Sequence, residues 1–248
     1  MLRLAVIILK NILIFPWAFW KLCKYAKHTD EYPELEKYAH IQYMMRRAVK
    51  AANVDIEITG TEHFPKENGF LMCGNHQGMF DVVPLVAVYP GPLSTVFKHE
   101  LSDIPLLKQI IACLKCFAMD RDNPRQSMGV INAVTAEIKA GRNYMIFPEG
   151  TRNRDKNRMG KFHSGTFRCA LKAKCPIFPV VFIDSYKVLD AKGLGRVSMK
   201  MKFLEVIPYE EFAHMKTNEV ADMVRDRIAK VIYEETGELP KEAVVPAE

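Results

Sequence analysis

The chain has 248 residues, of which 49% are apolar and 26% are charged, and its formal net charge is +6. This composition is ordinary for a globular protein and excludes wholesale disorder, and the length suits one large domain with a well-buried core. A positive surface attracts lipid headgroups, nucleic acid or acidic carrier proteins, and charge alone does not choose among them.

The six cysteines do not form the disulfide framework that a small secreted domain needs. Cys113 and Cys116 make one CxxC pair, but no second pair supplies the remaining ligands of a zinc site. We therefore expect buried thiols, no metal ion, and a protein that resides on the cytoplasmic side of the membrane.

The first thirty residues differ in kind from the rest of the chain. The segment from Leu4 to Trp20 is apolar apart from Lys10 and Asn11, and lysines follow at positions 21, 24 and 27. A transmembrane helix needs about 17 to 25 apolar residues, and a central lysine costs about 2.5 to 3.5 kcal/mol. The segment is therefore marginal as a span.

A continuous helix would place three cations of this segment on one side. Arg3, Lys10 and Lys21 would fall within about 20° of one another, at 100° per residue. Such a stripe is typical of a helix that lies in the headgroup region of an anionic leaflet. We predict a membrane-associated helix over residues 1–30, with Pro16 as its kink, and the alternative is a core helix beneath the domain.

Residues 31–248 are predicted to form one domain in which strands and helices alternate. The predicted strands cover residues 54–59, 70–73, 94–98, 117–119, 143–147, 177–183 and 197–203. Helices are predicted over residues 103–114, 126–140 and 165–174, and a last helix closes at Gly237, with a frayed tail from Leu239. This order predicts an α/β fold with a mixed, largely parallel sheet flanked by helices, in which ligand sites gather at strand ends.

The loop after residues 70–73 carries a histidine and an aspartate. His76 and Asp81 are five residues apart and would point about 140° away from each other on a helix, so they meet only if the chain turns. Gly78 permits that turn. Asp81 would then orient the imidazole, leaving its other nitrogen to take a proton from an alcohol. The alternative is that His76 caps a helix and Asp81 is a first-turn carboxylate.

A second motif follows the predicted strand 143–147. Phe147-Pro148 opens into Glu149-Gly150-Thr151-Arg152, and four further cations follow at positions 154, 156, 158 and 161. A solvated basic loop does not require a proline and a glycine around a Glu and an Arg. The motif therefore predicts a site for an anion such as a phosphate, and the two motifs together suggest acyl transfer onto a phosphorylated alcohol.

Four blocks make residues 60–206 resemble the lysophosphatidic acid acyltransferases (1-acylglycerol-3-phosphate O-acyltransferases), within the glycerolipid acyltransferases. The first block is Asn75-His76 through Asp81, and the third is Phe147 through Arg152. The remaining two are Lys98, Leu101, Pro105 and Arg121 for the second block, and Pro176-Ile177-Phe178-Pro179-Val180 for the fourth.

The resemblance implies transfer of a fatty acyl group from acyl-CoA or acyl carrier protein to the free hydroxyl of 1-acylglycerol 3-phosphate, giving phosphatidic acid in phospholipid synthesis. It implies no cofactor besides that co-substrate, and no covalent acyl-enzyme. The implied partners are an anionic membrane surface, the lysophospholipid acceptor and the acyl donor, with no nucleic acid, and the implied location is the cytoplasmic face of a membrane.

The resemblance also implies roles for individual residues. His76 is the general base, and Asp81 orients it. The residues implied to bind the glycerol phosphate are Arg121, Glu149, Gly150, Thr151 and Arg152. Pro179 would shape the floor of the site or the acyl channel, and the other secondary candidates are Asn75, Lys98, Lys161 and His163.

Three positions depart from the family pattern and leave the acceptor open. Lys108 and Lys115 stand where the second block often has glycines, and His163 stands where a lysine is usual. One alternative acceptor is glycerol 3-phosphate or another lysophospholipid. A second alternative is an esterase or thioesterase that uses the same dyad on water, and a third is an idle lipid-binding protein.

Overall fold

Seven short apolar or alternating segments pair into one sheet in the computed structural model, which describes residues 2–191 and 193–241. The strands are β1 (Val54–Thr59), β2 (Leu71–Gly74), β3 (Ser94–Lys98), β4 (Phe117–Met119), β5 (Tyr144–Ile146), β6 (Ile177–Ile183) and β7 (Val197–Phe203). Their order across the sheet is β1-β7-β6-β2-β5-β3-β4. All neighbours are parallel except β6 and β7, which confirms the predicted mixed, largely parallel fold.

The helices cover both faces of this sheet. They are α1 (Leu2–Lys10), α2 (Phe15–Lys27), α3 (Glu34–Ala51), α4 (Val82–Val88), α5 (Leu107–Cys113), α6 (Pro124–Lys139), α7 (Arg168–Ala173), α8 (Lys187–Asp190), α9 (Tyr209–Phe212) and α10 (Thr217–Thr236). The predicted helix over 103–114 is shorter, because the chain turns through Leu106 at a φ of +74° before α5. The prediction over 165–174 begins instead as a 3₁₀ turn, Ser164–Phe167, that leads into α7.

Strand β6 divides the core into two layers. All seven of its residues are buried, and its side chains alternate between the two faces of the sheet. Ile177 and Val181 pack in the layer that contains α6, α7 and α10, whereas Phe178 and Val180 pack in the layer that contains α2 to α5. Each such side chain contributes about 1.5 to 3 kcal/mol when it is fully buried, so the centre of the sheet is a rigid base for the loops that follow it.

The parallel strands bring the two sequence motifs to one edge of the sheet. Strands β2 and β5 are neighbours, with Cys73 in register with Ile146. Neighbouring strands lie about 4.8 Å apart, and parallel strands end at the same edge. The loop that follows β2 and the loop that follows β5 therefore begin side by side.

The N-terminal segment forms two helices, so the prediction of one helix over residues 1–30 was wrong. Helices α1 and α2 are bent by 89° at the break between them. The break covers residues 11–14 and does not occur at Pro16, which lies in the first turn of α2, where a missing N–H costs nothing. No single described helix is long and apolar enough to cross a membrane, and only the bent pair together has the length and composition.

The predicted cationic stripe is also absent, because two of its members bond to the domain. Arg3 is buried and donates from Nη1 to the carbonyl of Ala52 at 2.5 Å and from Nη2 to the carbonyl of Gly195 at 2.7 Å. Lys10 donates to the carbonyl of Ala51 at 3.3 Å. Both cations thus satisfy carbonyls at the C-terminal end of α3, where positive charge is favourable.

Candidate active site

The chain turns between His76 and Asp81, as Gly78 was predicted to allow. Nδ1 of His76 lies 2.8 Å from Oδ2 of Asp81. The same oxygen accepts the backbone N–H groups of Gln77 and Gly78, at 2.8 and 2.9 Å. Three donors on one carboxylate oxygen close the loop into a tight turn and fix the relative position of the two side chains.

Asp81 is completely buried, and its second oxygen is also engaged. The hydroxyl of Ser185, just beyond β6, donates to Oδ1 of Asp81 at 2.5 Å. With four hydrogen bonds directed at its two oxygens, the Asp81 carboxylate acts only as an acceptor. The network therefore assigns the Nδ1 proton to His76 and leaves Nε2 as the basic nitrogen. The alternative, in which His76 caps a helix and Asp81 is a first-turn carboxylate, does not match the structure, because the position before α4 is Asp81 and the His76 ring is bonded to it.

The imidazole is held by an aromatic neighbour as well as by Asp81. The rings of His76 and Phe147 are stacked, with centroids 4.1 Å apart and an interplanar angle of 21°. The His76 side chain is 16% exposed. One face and one edge of the ring are thus fixed, and no hydrogen bond to its Nε2 occurs within the described residues.

The histidine loop, residues 75–81, and the anion loop, residues 147–161, follow β2 and β5 and are fastened together through backbone groups. Oε1 of Glu149 accepts the N–H of His76 at 2.8 Å, and Oε2 accepts the N–H of Gly160 at 2.9 Å. In addition, the N–H of Asn153 donates to the carbonyl of His76 at 2.7 Å. The two motifs therefore converge on one place at the edge of the sheet.

This geometry corrects the expected position of Glu149. We expected it among the groups that face the phosphate, but both of its oxygens are bonded to backbone N–H groups and the residue is buried. Burial raises the pKa of the Glu149 carboxyl, while the hydrogen bonds from His76 and Gly160 oppose that rise. Glu149 braces the two loops from within and does not face solvent.

Gly150 makes the turn that the anion loop needs. Its φ is +68°, in the left-handed region, and a Cβ at this position would lie 2.9 Å from Cδ2 of His163. A side chain is therefore excluded both by the backbone and by the imidazole. The N–H of His163 donates to the carbonyl of Pro148 at 2.8 Å, so His163 lies directly against this turn.

Most cations of the anion loop have no acidic partner within the residues that the structure describes. Arg158 lies 3.8 Å from Asp155. In contrast, no ion pair involves the four exposed cations Arg152, Arg154, Lys156 and Lys161. Thr151 is exposed beside Arg152. Unpaired cations around a glycine turn are suited to bind an anion.

A crevice of about 270 Å³ opens next to the dyad. One wall is the turn from Gln77 to Phe80, and another carries Arg152 and Arg154. The third wall comes from the segment after β6, which includes Ser185, Tyr186, Leu189 and Asp190. The crevice thus adjoins both the bonded turn of the base and two unpaired guanidinium groups.

The second-block residues lie further along the same edge of the sheet. Lys98 ends β3 and pairs with Glu100. Arg121 is exposed and follows β4 by two residues. Since β3 and β4 are the next strands beyond β5, they lie about 5 and 10 Å from it. Within residues 2–191 and 193–241, no hydrogen bond or ion pair joins Lys98 or Arg121 to the anion loop.

Asn75 lies just after β2, and Pro179 lies within β6, the neighbouring strand. The buried Asn75 amide donates to the carbonyl of Phe182 at 2.7 Å and accepts its N–H at 2.8 Å, so it ties the histidine loop to β6. Pro179 is buried within β6 and lies in register with Cys73 of β2. Pro179 does not line the crevice.

Sequence reasoning missed Ser185 and the role of Phe147 as the stacking partner. Ser185 is the second residue after β6, a strand next to β2, and polar residues at such strand ends are a usable signal. Phe147 offered no such signal, because an aromatic residue at the end of a strand is more often part of the core.

Known proteins are similar to this chain in sequence. The family model described as acyltransferase matches residues 55–183, which include both motifs. The 1-acyl-sn-glycerol-3-phosphate acyltransferase of Saccharomyces cerevisiae is 25% identical over 212 residues, covering 84% of this chain and 68% of that protein. The enzyme of the same name from Borreliella burgdorferi is 27% identical over 202 residues, covering 75% of this chain and 77% of that protein.

One solved structure has a similar fold. The crystal structure of the 1-acyl-sn-glycerophosphate (LPA) acyltransferase PlsC from Thermotoga maritima superimposes with a TM-score of 0.71. The match covers 92% of this chain and 98% of that chain, at 19% sequence identity. At this identity the likeness concerns the fold alone.

Proposed function

The chain belongs to the acyltransferase family, whose model spans residues 55–183, and we propose that it acylates the free hydroxyl of 1-acylglycerol 3-phosphate to give phosphatidic acid. The observation that carries the proposal is the hydrogen bond that the backbone N–H of His76 donates to the Glu149 carboxylate. That bond joins a base with an open Nε2 to a loop of unpaired cations. Relatives that are 25 to 28% identical carry this activity in their names.

His76 is the general base in this reaction. Its Nε2 takes the proton of the acceptor hydroxyl while that oxygen attacks the thioester carbonyl, and Asp81 stabilises the imidazolium that forms. The tetrahedral intermediate then collapses, the carbon–sulfur bond breaks, and the imidazolium returns its proton to the thiolate. A thioester is already activated, so positioning and proton removal supply much of what is needed.

The anion loop holds the acceptor phosphate. Arg152 offers a bidentate guanidinium, Thr151 offers a hydroxyl, and the turn at Gly150 brings the backbone close to the bound oxygens. Arg154 lines the same crevice. Arg121 and the secondary positions Lys98 and Lys161 add positive charge around it. His163 lies against the turn at Gly150, and Glu149 acts by holding the loop in place.

The bent helix pair holds the protein on an anionic membrane at its cytoplasmic face, where lipid acceptors reside. Large apolar side chains of both helices and of the break between them are exposed: Leu2, Ile8, Leu9, Ile12, Leu13, Phe15, Trp17 and Trp20. Lysines at positions 21, 24 and 27 follow them. Helix α1 also packs against α8, which helps to wall the crevice. Apolar side chains flanked by cations are typical of interfacial helices.

The donor in this proposal is a fatty acyl thioester of coenzyme A or of acyl carrier protein. Both carriers are anionic, and the net charge of +6 favours their approach. The reaction requires no further cofactor and no metal ion, because the thioester supplies the leaving group and His76 supplies the base.

A labelled acyl-CoA, offered with a panel of lysolipids, tests the proposal. The parent protein should convert lysophosphatidic acid to phosphatidic acid faster than it acylates glycerol 3-phosphate or a lysophospholipid with a larger headgroup. The variant His76→Ala should lose transfer, whereas His214→Ala, at an exposed histidine of the segment after α9, should keep it.

Three results would contradict the proposal in different ways. Release of free fatty acid without an acylated acceptor would indicate a thioesterase. Preference for glycerol 3-phosphate would make that compound, and not lysophosphatidic acid, the acceptor. Unchanged turnover in His76→Ala would show that His76 is not the general base, and a lipid-binding role would remain for the protein.

A further inference from the structure

Asn157, in the anion loop, uses every hydrogen-bonding position of its buried side chain. Its Oδ1 accepts Nε2 of Gln77 at 2.8 Å and the backbone N–H of Asp184 at 2.9 Å. Its Nδ2 donates to Oδ1 of Asp184 and to Oε1 of Glu238, both at 3.1 Å. The residue is 3% exposed. A buried amide that makes all four of its hydrogen bonds holds its bonding partners in fixed positions.

Three of these four hydrogen bonds, those to Gln77 and Asp184, lead towards His76 and Asp81. Oε1 of Gln77 accepts the N–H of Ser185 at 3.0 Å, and the Ser185 hydroxyl donates to Asp81 at 2.5 Å. Asp184, just before Ser185, has a φ of +61°, which is unfavourable for a residue with a side chain. Asn157 bonds both to the N–H and to the carboxylate of Asp184, and so stabilises the turn that presents Ser185 to Asp81.

The remaining contact leads to the C-terminal segment, residues 237–241. Gly237 ends α10 at a φ of +69° and turns the chain back towards the anion loop. The N–H of Lys241 then donates to the carbonyl of Met159 at 3.0 Å. Arg225 of α10 bonds to the carbonyls of Gly160 and Lys241, both at 3.1 Å. The predicted fraying from Leu239 was therefore wrong up to Lys241, and residues 242–248 lie outside the described residues.

We propose that Asn157 is a positioning residue that couples the C-terminal segment to the His76–Asp81 dyad. The coupling runs from Glu238 through Asn157 to Gln77, then to Ser185 and Asp81. It rests on the proposed function only in that the dyad is taken to be the base of acyl transfer. A segment near the end of the sequence thereby sets the orientation of the His76 imidazole.

The chemistry of the network explains why an amide is needed at position 157. The two groups on the Nδ2 side, Asp184 and Glu238, are carboxylates, and only a donor is compatible with both. The two groups on the Oδ1 side are N–H donors. An aspartate would keep the second pair of bonds and would place a third negative charge between two others.

The first experiment therefore uses Asn157→Asp. We expect the C-terminal segment to leave the anion loop and kcat for acyl transfer to fall about 10- to 100-fold, because small misplacements of a base have effects of this size. The acceptor KM should change less. The matched control is Asn132→Asp, which makes the same chemical change at an exposed position of α6.

A second substitution tests whether Glu238 carries the coupling. In the double variant Asn157→Asp with Glu238→Gln, the amide introduced at position 238 is able to donate to the carboxylate introduced at position 157, and part of the lost kcat should return.

Glu238→Ala alone gives a milder variant at a partly exposed position, so folding is preserved. It should release the segment and lower kcat about three- to tenfold, within the range of a lost hydrogen bond.

Two readouts do not depend on turnover. Amide hydrogen exchange at residues 237–241 reports whether the segment is held. The NMR titration of the His76 imidazole reports its surroundings, in which the charged groups are Asp81 on its own loop and Glu149 on the loop after β5. Faster exchange together with a shifted His76 titration in Asn157→Asp is the expected result.

Two results would overturn the coupling. In one, the segment is released while kcat and the His76 titration stay as in the parent protein, so that Asn157 is merely structural. In the other, Glu238→Gln restores nothing in the Asn157→Asp background. If instead the parent protein acylates no lysolipid at all, the proposed function fails, and hydrogen exchange and the His76 titration still decide the coupling.

Discussion

The histidine loop and the anion loop lie side by side, yet the carboxylate of the first is fully bonded and two arginines of the second have no ion-pair partner among the described residues. Asp81 accepts four hydrogen bonds and is completely buried. Arg152 and Arg154 are exposed and have no ion-pair partner in the described part of the chain. A base must be oriented before the reaction, because reorganisation would add to the barrier. Cations that await a ligand must stay hydrated, since unpaired burial is costly.

This difference separates the kinetic effects expected from the two loops. Changes in the histidine loop should lower kcat, because they disturb a group that acts in the transition state. Changes in the anion loop should raise KM, because they remove binding that is present before and during the reaction. Glu149 belongs to the anion loop by sequence and to the histidine loop by its bonds.

The largest effect is expected for Asp81→Asn. An amide at this position offers an N–H group to Nδ1 of His76 and favours the wrong imidazole tautomer. In the Ser-His-Asp hydrolases, such a change costs about 10⁴-fold in kcat, and we expect a loss of similar size here. Steady-state kinetics at saturating acceptor, with circular dichroism as a check on folding, measure it. A loss below about tenfold would show that Asp81 does not orient the base.

Glu149→Gln should lower kcat about 10- to 100-fold, because one of two buried N–H groups would face an amide donor. The acceptor KM should change little, which sets Glu149 apart from Arg152. Glu205→Gln, at an exposed site after β7, is the matched control. If Glu149→Gln changed only KM, the residue would belong with the phosphate-binding groups after all.

The same residue predicts a pH dependence of stability. Burial raises the pKa of the Glu149 carboxyl in the native state, so the native protein holds this proton more tightly than the unfolded chain does. The resulting stabilisation is present below the ordinary glutamate pKa of about 4.3 and is lost as the pH rises through the native pKa. Urea unfolding across this range should show that decline in the parent protein, and Glu149→Gln should lack it.

Arg152→Ala should raise the acceptor KM about 10- to 50-fold, which corresponds to one charge-assisted hydrogen bond, with kcat within about threefold. Arg158→Ala provides a comparison within the same loop, because Arg158 already lies near Asp155. Its effect on KM should be smaller. Equal effects of the two substitutions would indicate a diffuse field and no defined phosphate site.

Leu13→Lys should weaken binding to anionic vesicles about tenfold, since a large aliphatic side chain contributes at least 1.5 kcal/mol or so when buried. Leu13 is 92% exposed, so the substitution does not disturb the core. A deletion of residues 1–27 would also remove Leu22 and Tyr25, which are buried. Tyr233→Lys on α10 is the control, and equal vesicle binding by both variants would place the membrane contact elsewhere.

The sequence predicted the sheet well and the N-terminal helix poorly, for physical reasons. Strands appear as short apolar or alternating runs bounded by turns, so their positions are encoded locally. The helical pattern continues through residues 11–14, where the chain in fact turns. The buried bonds of Arg3 to Ala52 and Gly195 depend on residues distant in the sequence, so no local pattern indicated them.

The candidate site shows the same division. The residues of each motif were recognisable from spacing and residue type, and the turn at Gly78 followed from geometry. The bracing position of Glu149 was not recognisable, because its partners are backbone groups that carry no signature. Asn157 and Glu238 are 81 positions apart, and polar residues in loops are usually solvated, so nothing in the sequence joined them.

The buried guanidinium of Arg3 has a consequence for how the molecule rests on a lipid surface. Two carbonyls of the domain accept hydrogen bonds from Arg3 in the first turn of α1. This helix is therefore fixed to the domain and does not move independently of it. With the docking proposed above, the protein settles at one tilt, and the depth of the crevice relative to the lipid headgroups is set by the fold. A lipid acceptor would then meet the imidazole at the same height in every encounter, without having to leave the bilayer.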